Sequence, residues 1–219
     1  MVACAGALAG IVATAWLMAR LGPVGSLPLL VAPIGASAVL AFAVPASPLA
    51  QPWPVVGGNV ISAVIGIAVA RLVPDPALAA GLAVAAAILA MSLARCLHPP
   101  GGAVALFAVV GGPAVAAAGY GFALAPVALN SLALVAGAYA FHRLSGHAYP
   151  HRVPAAGALA ELAAEGLRPA DIERALDDLG EAFDIAPEDL QRLLARAEHH
   201  AAERRIAERP RVVPMRRAA

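Results

Sequence analysis

The stretch Arg95-Cys96-Leu97-His98-Pro99-Pro100-Gly101-Gly102-Ala103 gathers a guanidinium, an imidazole and bare backbone within a short run. Pro99 and Pro100 cannot continue a helix that ends at Leu97, and Pro99 pushes His98 toward extended geometry. Gly101 and Gly102 then expose unshielded peptide at the start of the next helix, whose first N–H groups have no internal partner. An anion would satisfy those donors and feel the positive end of the helix dipole. His98 can donate a hydrogen bond, or a full charge once protonated, and a proton held there would couple to anion uptake. Arg95, one turn earlier, would add a fixed positive charge, at an insertion cost of about 2.5–3.5 kcal/mol if it lay mid-membrane. Its plainer reading is an arginine snorkelling at a helix end.

A second interrupted stretch, Ala32-Pro33-Ile34-Gly35-Ala36-Ser37, would form the opposing half of such a site. Gly35 lets backbone approach and Ser37 supplies a hydroxyl. Asn59 and Asn130 are the only asparagines, and both fall in apolar segments, where an amide either bonds across helices or faces a substrate. His142, His147 and His151 match no helical metal pair and no cysteine or carboxylate supports them, so they read as solvated; His199 and His200 sit on a charged helix. No nucleophile motif, paired intramembrane carboxylates, phosphate loop or haem motif is present, so the sequence predicts neither an enzyme nor a bound metal or cofactor. Asp75, in the turn Pro74-Asp75-Pro76, gives no basis for a carboxylate proton relay.

The elements that must position these residues follow from composition. The chain has 219 residues, 61% hydrophobic and 13% charged, with a mean hydropathy of +0.78. A soluble domain carries about 25% charged residues, so this composition excludes one. Only Arg20, Arg71, Asp75, Arg95 and Arg143 are charged between Met1 and Tyr149; the other 24 of the 29 charged residues lie beyond. The boundary predicts a transmembrane domain over 1–149 and a water-exposed tail over 150–219. All 15 basic residues are arginine, aromatics are 5%, and no basic stripe is interleaved with aromatics, so no nucleic-acid partner is indicated. Cys4 and Cys96 both read as buried free thiols, and residues 2–19 read as a retained span without a signal-peptide n-region.

Six apolar segments, roughly 2–19, 28–44, 56–73, 77–97, 101–116 and 120–142, predict an all-α polytopic membrane protein. Its second and fifth segments open on proline and glycine. Residues 33–42 overlay 99–108 with proline, glycine and leucine in register, and Asn59 to Gly66 repeats the spacing of Asn130 to Gly137. An internal repeat of three segments must be inverted, an architecture in which matching broken helices mark a transporter's site. Six crossings place both ends of the domain on one side, and Arg143 with Arg152 puts that side in the cytoplasm, although Arg20 and Arg71 then lie outside. In the tail, Pro169 and Pro187 open two amphipathic helices, one with Ile172, Leu176, Leu179 and Phe183, the other with Leu190, Leu193, Leu194 and Ala197, forming a helical hairpin.

Leu97-His98-Pro99-Pro100-Gly101-Gly102-Ala103 resembles the signature of the HPP family of integral membrane proteins. Gly35 to Leu40, Pro48 to Pro52, Val56 to Asn59 and Tyr149 to Arg152 are similar to that family as well, so that the resemblance covers about residues 5–152. Asn59 stands where many relatives have His. The resemblance implies a bacterial or organellar membrane protein, and some plant and cyanobacterial relatives are associated with nitrite transport. Many bacterial relatives carry a pair of CBS domains after a helical linker like residues 155–205; the sequence to Ala219 contains no such pair.

Together these readings predict a multi-pass protein of the bacterial inner membrane that transports a small inorganic anion, nitrite first. Gly35, Ser37, Asn59, Arg95, His98, Gly101, Gly102 and Asn130 would form its site. The alternative is a membrane-embedded sensor or scaffold whose helical tail binds a cytoplasmic partner. Beyond the bilayer and the anion, Gly- and Ala-rich faces on the third and sixth segments suit close packing within the chain or in a homo-oligomer.

Overall fold

The computed structural model describes residues 2–22, 27–146 and 148–151, and in the tail Arg174, Leu190, Leu193, Leu194, Ala197, Glu198 and Arg204. The chain divides into two units, the first holding residues 1–152. The seven tail residues are all helical, with Leu193 exposed; the hairpin expected from Pro169 and Pro187 otherwise lies outside the described residues.

In the first unit the regular structure among the described residues is entirely helical: α1 (Val2–Leu21), α2 (Pro33–Ala43), α3 (Asn59–Leu72), α4 (Pro76–Leu93), α5 (Pro99–Val110), α6 (Gly112–Ala118) and α7 (Leu129–Ser145). A wide π turn, Pro54–Gly58, leads into α3, and another, Ala123–Ala128, leads into α7. Counting those turns, four helices among the described residues are long and apolar enough to cross a membrane. The other two apolar segments are not straight spans. α2 has only 11 residues, and α5 and α6 meet at a 97° bend where Gly111 and Gly112 break the chain.

The first helix of each half shows the same design. α1 buries Gly6, Gly10, Thr14 and Met18, and α4 buries Ala79, Ala83, Ala87 and Met91, each a stripe of four-residue spacing ending on methionine. Leu8, Val12 and Trp16 on α1 and Leu78, Leu82 and Leu89 on α4 are exposed, as befits faces that meet hydrocarbon. Asp75 caps α4 by accepting the Leu78 N–H at 2.7 Å. Cys4, expected inside, is exposed on α1, because a helix with one narrow buried stripe presents most positions to lipid; Cys96 is buried, and both thiols are free.

The two halves exchange their third helices. α3 packs mainly against α4 and α5, and α7 mainly against α1 and α2. Gly6 of α1 lies against Phe42 at the end of α2 and Phe141 near the end of α7, while Met18 and Leu21 face Pro126 and Leu129 at the other end. α1 therefore runs antiparallel to α2 and α7. Gly58 meets His98 and Gly66 meets Ala105 and Ala108, so α3 and α5 run parallel. Chain direction reverses between α1–α2–α3 and α4–α5–α7, which is the inverted relation that the sequence repeat requires. Arginine–aromatic pairs sit near the helix ends: Arg20 over Trp16, Arg71 over Tyr120 and Arg143 over Tyr139.

The run 27–32 before α2 is irregular backbone within an apolar bundle, where unpaired peptide groups cost several kcal/mol. Asn130 resolves this. Its Oδ1 accepts the Val31 N–H at 3.0 Å and its Nδ2 donates to the Leu29 carbonyl at 3.0 Å. Asn130→Leu should therefore leave one donor and one acceptor bare and cost about 2–5 kcal/mol, read as a lowered Tm in detergent. A melting temperature equal to the parent's would refute that role.

Candidate functional site

α4 stops because Ala94 leaves helical geometry and Arg95 takes a left-handed conformation, φ 52°. The Arg95 N–H bonds the Ser92 carbonyl at 3.2 Å and the Cys96 N–H bonds the Met91 carbonyl at 2.9 Å, a Schellman closure with arginine where glycine is usual. Trp53 Nε1 donates to the Ala94 carbonyl at 3.2 Å. The chain then extends through His98, φ −140° and ψ 106°, before Pro99 and Pro100 start α5.

This geometry carries the His98 ring into the bundle, fully buried, where α2, α3 and α7 converge. Its Nδ1 lies 2.8 Å from the Leu49 carbonyl and its Nε2 lies 2.8 Å from Ser37 Oγ. Asn59 Nδ2 donates to Ser37 Oγ at 3.2 Å and to Ser131 Oγ at 3.1 Å. Asn59 Oδ1 is buried with no hydrogen-bond partner. Ser37, Asn59, His98 and Ser131 are each 1% exposed or less.

The bonding has one direction. A carbonyl only accepts, so Nδ1 of His98 carries the hydrogen given to Leu49. In the neutral ring Nε2 is then the acceptor, and the Ser37 hydroxyl donates to it. Ser37 Oγ in turn accepts from Asn59, whose carbonyl end is left over. An unpaired buried acceptor costs about 1–3 kcal/mol, a deficit that an entering hydrogen-bond donor removes.

Gly58 and Gly101 permit this approach. A Cβ on Gly58 would stand 2.6 Å from His98 Cβ, and one on Gly101 would stand 2.7 Å from Ser62 Oγ and 2.9 Å from Met91 Sδ. Ser62 Oγ also bonds Met91 Sδ at 3.4 Å, directly below the cluster on α3.

Of the expected site residues, Ser37, Asn59 and His98 come together, with Gly101 packed beside them. The others do not serve as expected. Arg95 is exposed, because its left-handed turn directs it away from the buried side of α4. Gly35 faces outward, with no heavy atom within 4 Å of where a Cβ would stand, and Gly102 packs toward Val84 of α4. Asn130 has engaged both ends of its amide on Leu29 and Val31. The peptide N–H groups of Gly35 and Gly101 themselves are also engaged. Gly35 N–H bonds the Ala32 carbonyl at 3.1 Å and Gly101 N–H bonds the His98 carbonyl at 2.8 Å, while Pro99 and Pro100 have no N–H to offer.

Ser131 and the Leu49 carbonyl are members of the cluster that the sequence does not announce. Ser131 is signalled only by its place beside Asn130, and a main-chain oxygen leaves no mark in composition. Leu49 belongs to a hub: Tyr149 Oη donates to the Ala50 carbonyl at 2.9 Å, and the His151 N–H bonds Gln51 Oε1 at 2.8 Å. Burial pushes the Tyr149 phenol up, so it remains a donor. His142, expected in solvent, is buried; its Nε2 lies 2.8 Å from the Ala41 carbonyl and its ring packs among Phe42, Phe141 and Tyr149. No group of three His, Cys, Asp or Glu among the described residues is placed to hold a metal.

Residues 1–150 match the family described as "HPP, transmembrane region". Two curated proteins of Dictyostelium discoideum, each named a transmembrane protein, are similar to this chain. One is 43% identical over 86 residues, covering 37% of this chain and 30% of that protein. The other is 39% identical over 104 residues, covering 46% and 33%. The chain thus spans about a third of the length of these curated relatives. No solved structure matches it.

Proposed function

We propose, from the premise that this chain belongs to the HPP transmembrane-region family, that it transports a small inorganic anion through the cluster of His98, Ser37, Asn59 and Ser131, with nitrite the first candidate. The observation that carries the reading is the uncharged, fully buried polar string with one unpaired amide group, set where two interrupted helices of opposite direction meet. Apolar side chains in these positions would avoid the cost of an orphaned acceptor, which favours a functional use for the cluster. The inverted halves supply the bodies whose relative rocking exposes the cluster to either side. In this reading the protein is a carrier and not an enzyme, sits in a bacterial inner membrane with its tail in the cytoplasm, and acts alone or as a homo-oligomer.

Uptake of nitrite, nitrate, chloride and bicarbonate into proteoliposomes, each compared with protein-free vesicles, tests the reading. Protein-dependent uptake of at least one anion is expected, with Ser37→Ala reducing it about tenfold or more, the effect of one buried hydrogen bond. Arg95→Gly should transport at the parent rate and melt higher, because glycine adopts the left-handed turn without strain. No uptake of any of the four anions would overturn the proposal, and loss of transport in Arg95→Gly would return that arginine to the site.

A further inference from the structure

Resting on the transport reading, the structure assigns to His98 a second passenger: one proton bound with each anion, because only a proton there turns the Asn59 amide from acceptor to donor. The argument is geometric. With His98 neutral, hydrogens run from Asn59 to Ser37 to His98 Nε2, and the group left without a partner is Asn59 Oδ1. An anion approaching that carbonyl meets like partial charge and finds no donor.

Protonation places a hydrogen on Nε2 while Nδ1 keeps its bond to the Leu49 carbonyl. Nε2–H must now donate to Ser37 Oγ, so the Ser37 hydroxyl hydrogen needs another acceptor. Asn59 is its other hydrogen-bond partner. A half-turn of the Asn59 amide brings Oδ1 to face the Ser37 and Ser131 hydroxyls, both of which can donate. The same turn carries Nδ2 with its two hydrogens to the position Oδ1 held. The site then presents two N–H donors backed by a positive imidazolium, which suits an anion and does not suit a neutral acceptor-poor solute. The balance is one proton taken from one side onto Nε2, one anion bound, and both released on the other side, with no net charge moved.

Among the described residues the surroundings hold no competing charge. α2 presents Ser37 to the ring, α3 and the π turn before it present Asn59 and Gly58, and the Pro48–Ala50 turn presents the Leu49 carbonyl. Two residues away is the buried Cys96 thiol, the Tyr149 hydroxyl bonds the Ala50 carbonyl next to Leu49, and beyond Tyr149 lies the His142 ring, with His151 on Gln51. Arg95 is exposed. A bound anion is therefore the available counter-charge for a protonated His98, which makes the two bind together by linkage.

Proteoliposomes holding the full chain, with nitrate and nitrite as probes and protein-free vesicles subtracted, decide the matter. Under potassium and valinomycin at zero potential, a one-unit acid-outside gradient should drive about tenfold accumulation, and an inside-positive potential alone should drive none. External alkalinisation should report one proton per anion. His98→Gln, which keeps an amide donor for Leu49 and an acceptor for Ser37, should fold with the parent's Tm and lose the gradient-driven accumulation. Uptake that follows potential with no proton movement overturns this inference and leaves the carrier reading standing. Absence of uptake for every anion overturns both. If His98→Gln accumulates anion under the gradient as the parent does, the proton site lies elsewhere and the inference is overturned.

Discussion

Gly66→Val is expected to be the most damaging single substitution in the membrane domain. A Cβ at Gly66 would lie 2.5 Å from the Ala105 carbonyl oxygen, 2.7 Å from Ala108 Cβ and 3.0 Å from Ala105 Cα. Two of these three atoms are main chain, so no rotamer change relieves the clash, and α3 and α5 must separate. In a bilayer, helix association relies on close packing at small residues, since lipid is as apolar as leucine. Overpacking of this kind costs about 3 kcal/mol, and valine adds a second and third methyl contact. The parting of α3 and α5 also pulls Gly58 from His98 and opens the polar cluster to lipid. The expected result is a protein that fails to elute as a single species in detergent. Gly81→Ala is the control: nothing lies within 4 Å of its Cβ position in α4, and the helix should gain up to about 1 kcal/mol. Gly35→Ala, equally unobstructed, should leave both stability and uptake unchanged, because the Gly35 peptide faces away from the cluster. Equal melting of Gly66→Val and Gly81→Ala would refute the packing argument.

The inverted architecture is legible in the sequence because its signals are local. Proline suits a helix's first turn and not its interior, so the matching runs at Pro33 and Pro99 mark matching helix starts after an interruption, and the spacing of Asn59 and Asn130 marks matching third helices. Apolar run length is legible too, but not whether a run stays straight; the 97° bend between α5 and α6 depends on how Gly111 and Gly112 are packed. Arg95 illustrates why proximity in sequence misleads. Three residues before His98, it is expected to share that side chain's surroundings. A single left-handed residue at the helix end reverses the direction of the chain, placing one side chain outside and the next polar one inside. The peptide donors at the start of α5 are fewer than the glycines suggest, for a related reason. A helix start that opens with two prolines has already lost two of its free N–H groups, and the third closes a turn on His98. What cannot be read at all is the exchange of third helices, which brings Ser131 to Asn59 across 72 positions.

Asn59→Leu and Asn130→Leu are expected to separate function from stability, although both residues occupy equivalent places in the repeat. Each follows a π turn, and each lies at the start of a third helix beside the interrupted helix of the other half. Their bonding differs. Asn130 is fully engaged with backbone, so leucine there removes a support that nothing replaces. Asn59 holds two longer bonds to hydroxyls, at 3.2 and 3.1 Å, and has an unpaired carbonyl. Leucine shares its branched outline, deletes the orphaned acceptor, and leaves the Ser37 bond to His98 in place. Its effect on stability should therefore be within about 1 kcal/mol of zero, the lost bonds being offset by the lost desolvation penalty. Uptake should fall about 10- to 100-fold, because the variant has no amide to turn toward the anion and hydrogen bonds to charged groups are worth about 1.5–3 kcal/mol. Thermal unfolding and proteoliposome uptake measured on the same two preparations give the comparison. A stable Asn59→Leu that transports like the parent would show the amide to be dispensable to both, and the carrier site would then have to be sought away from this cluster.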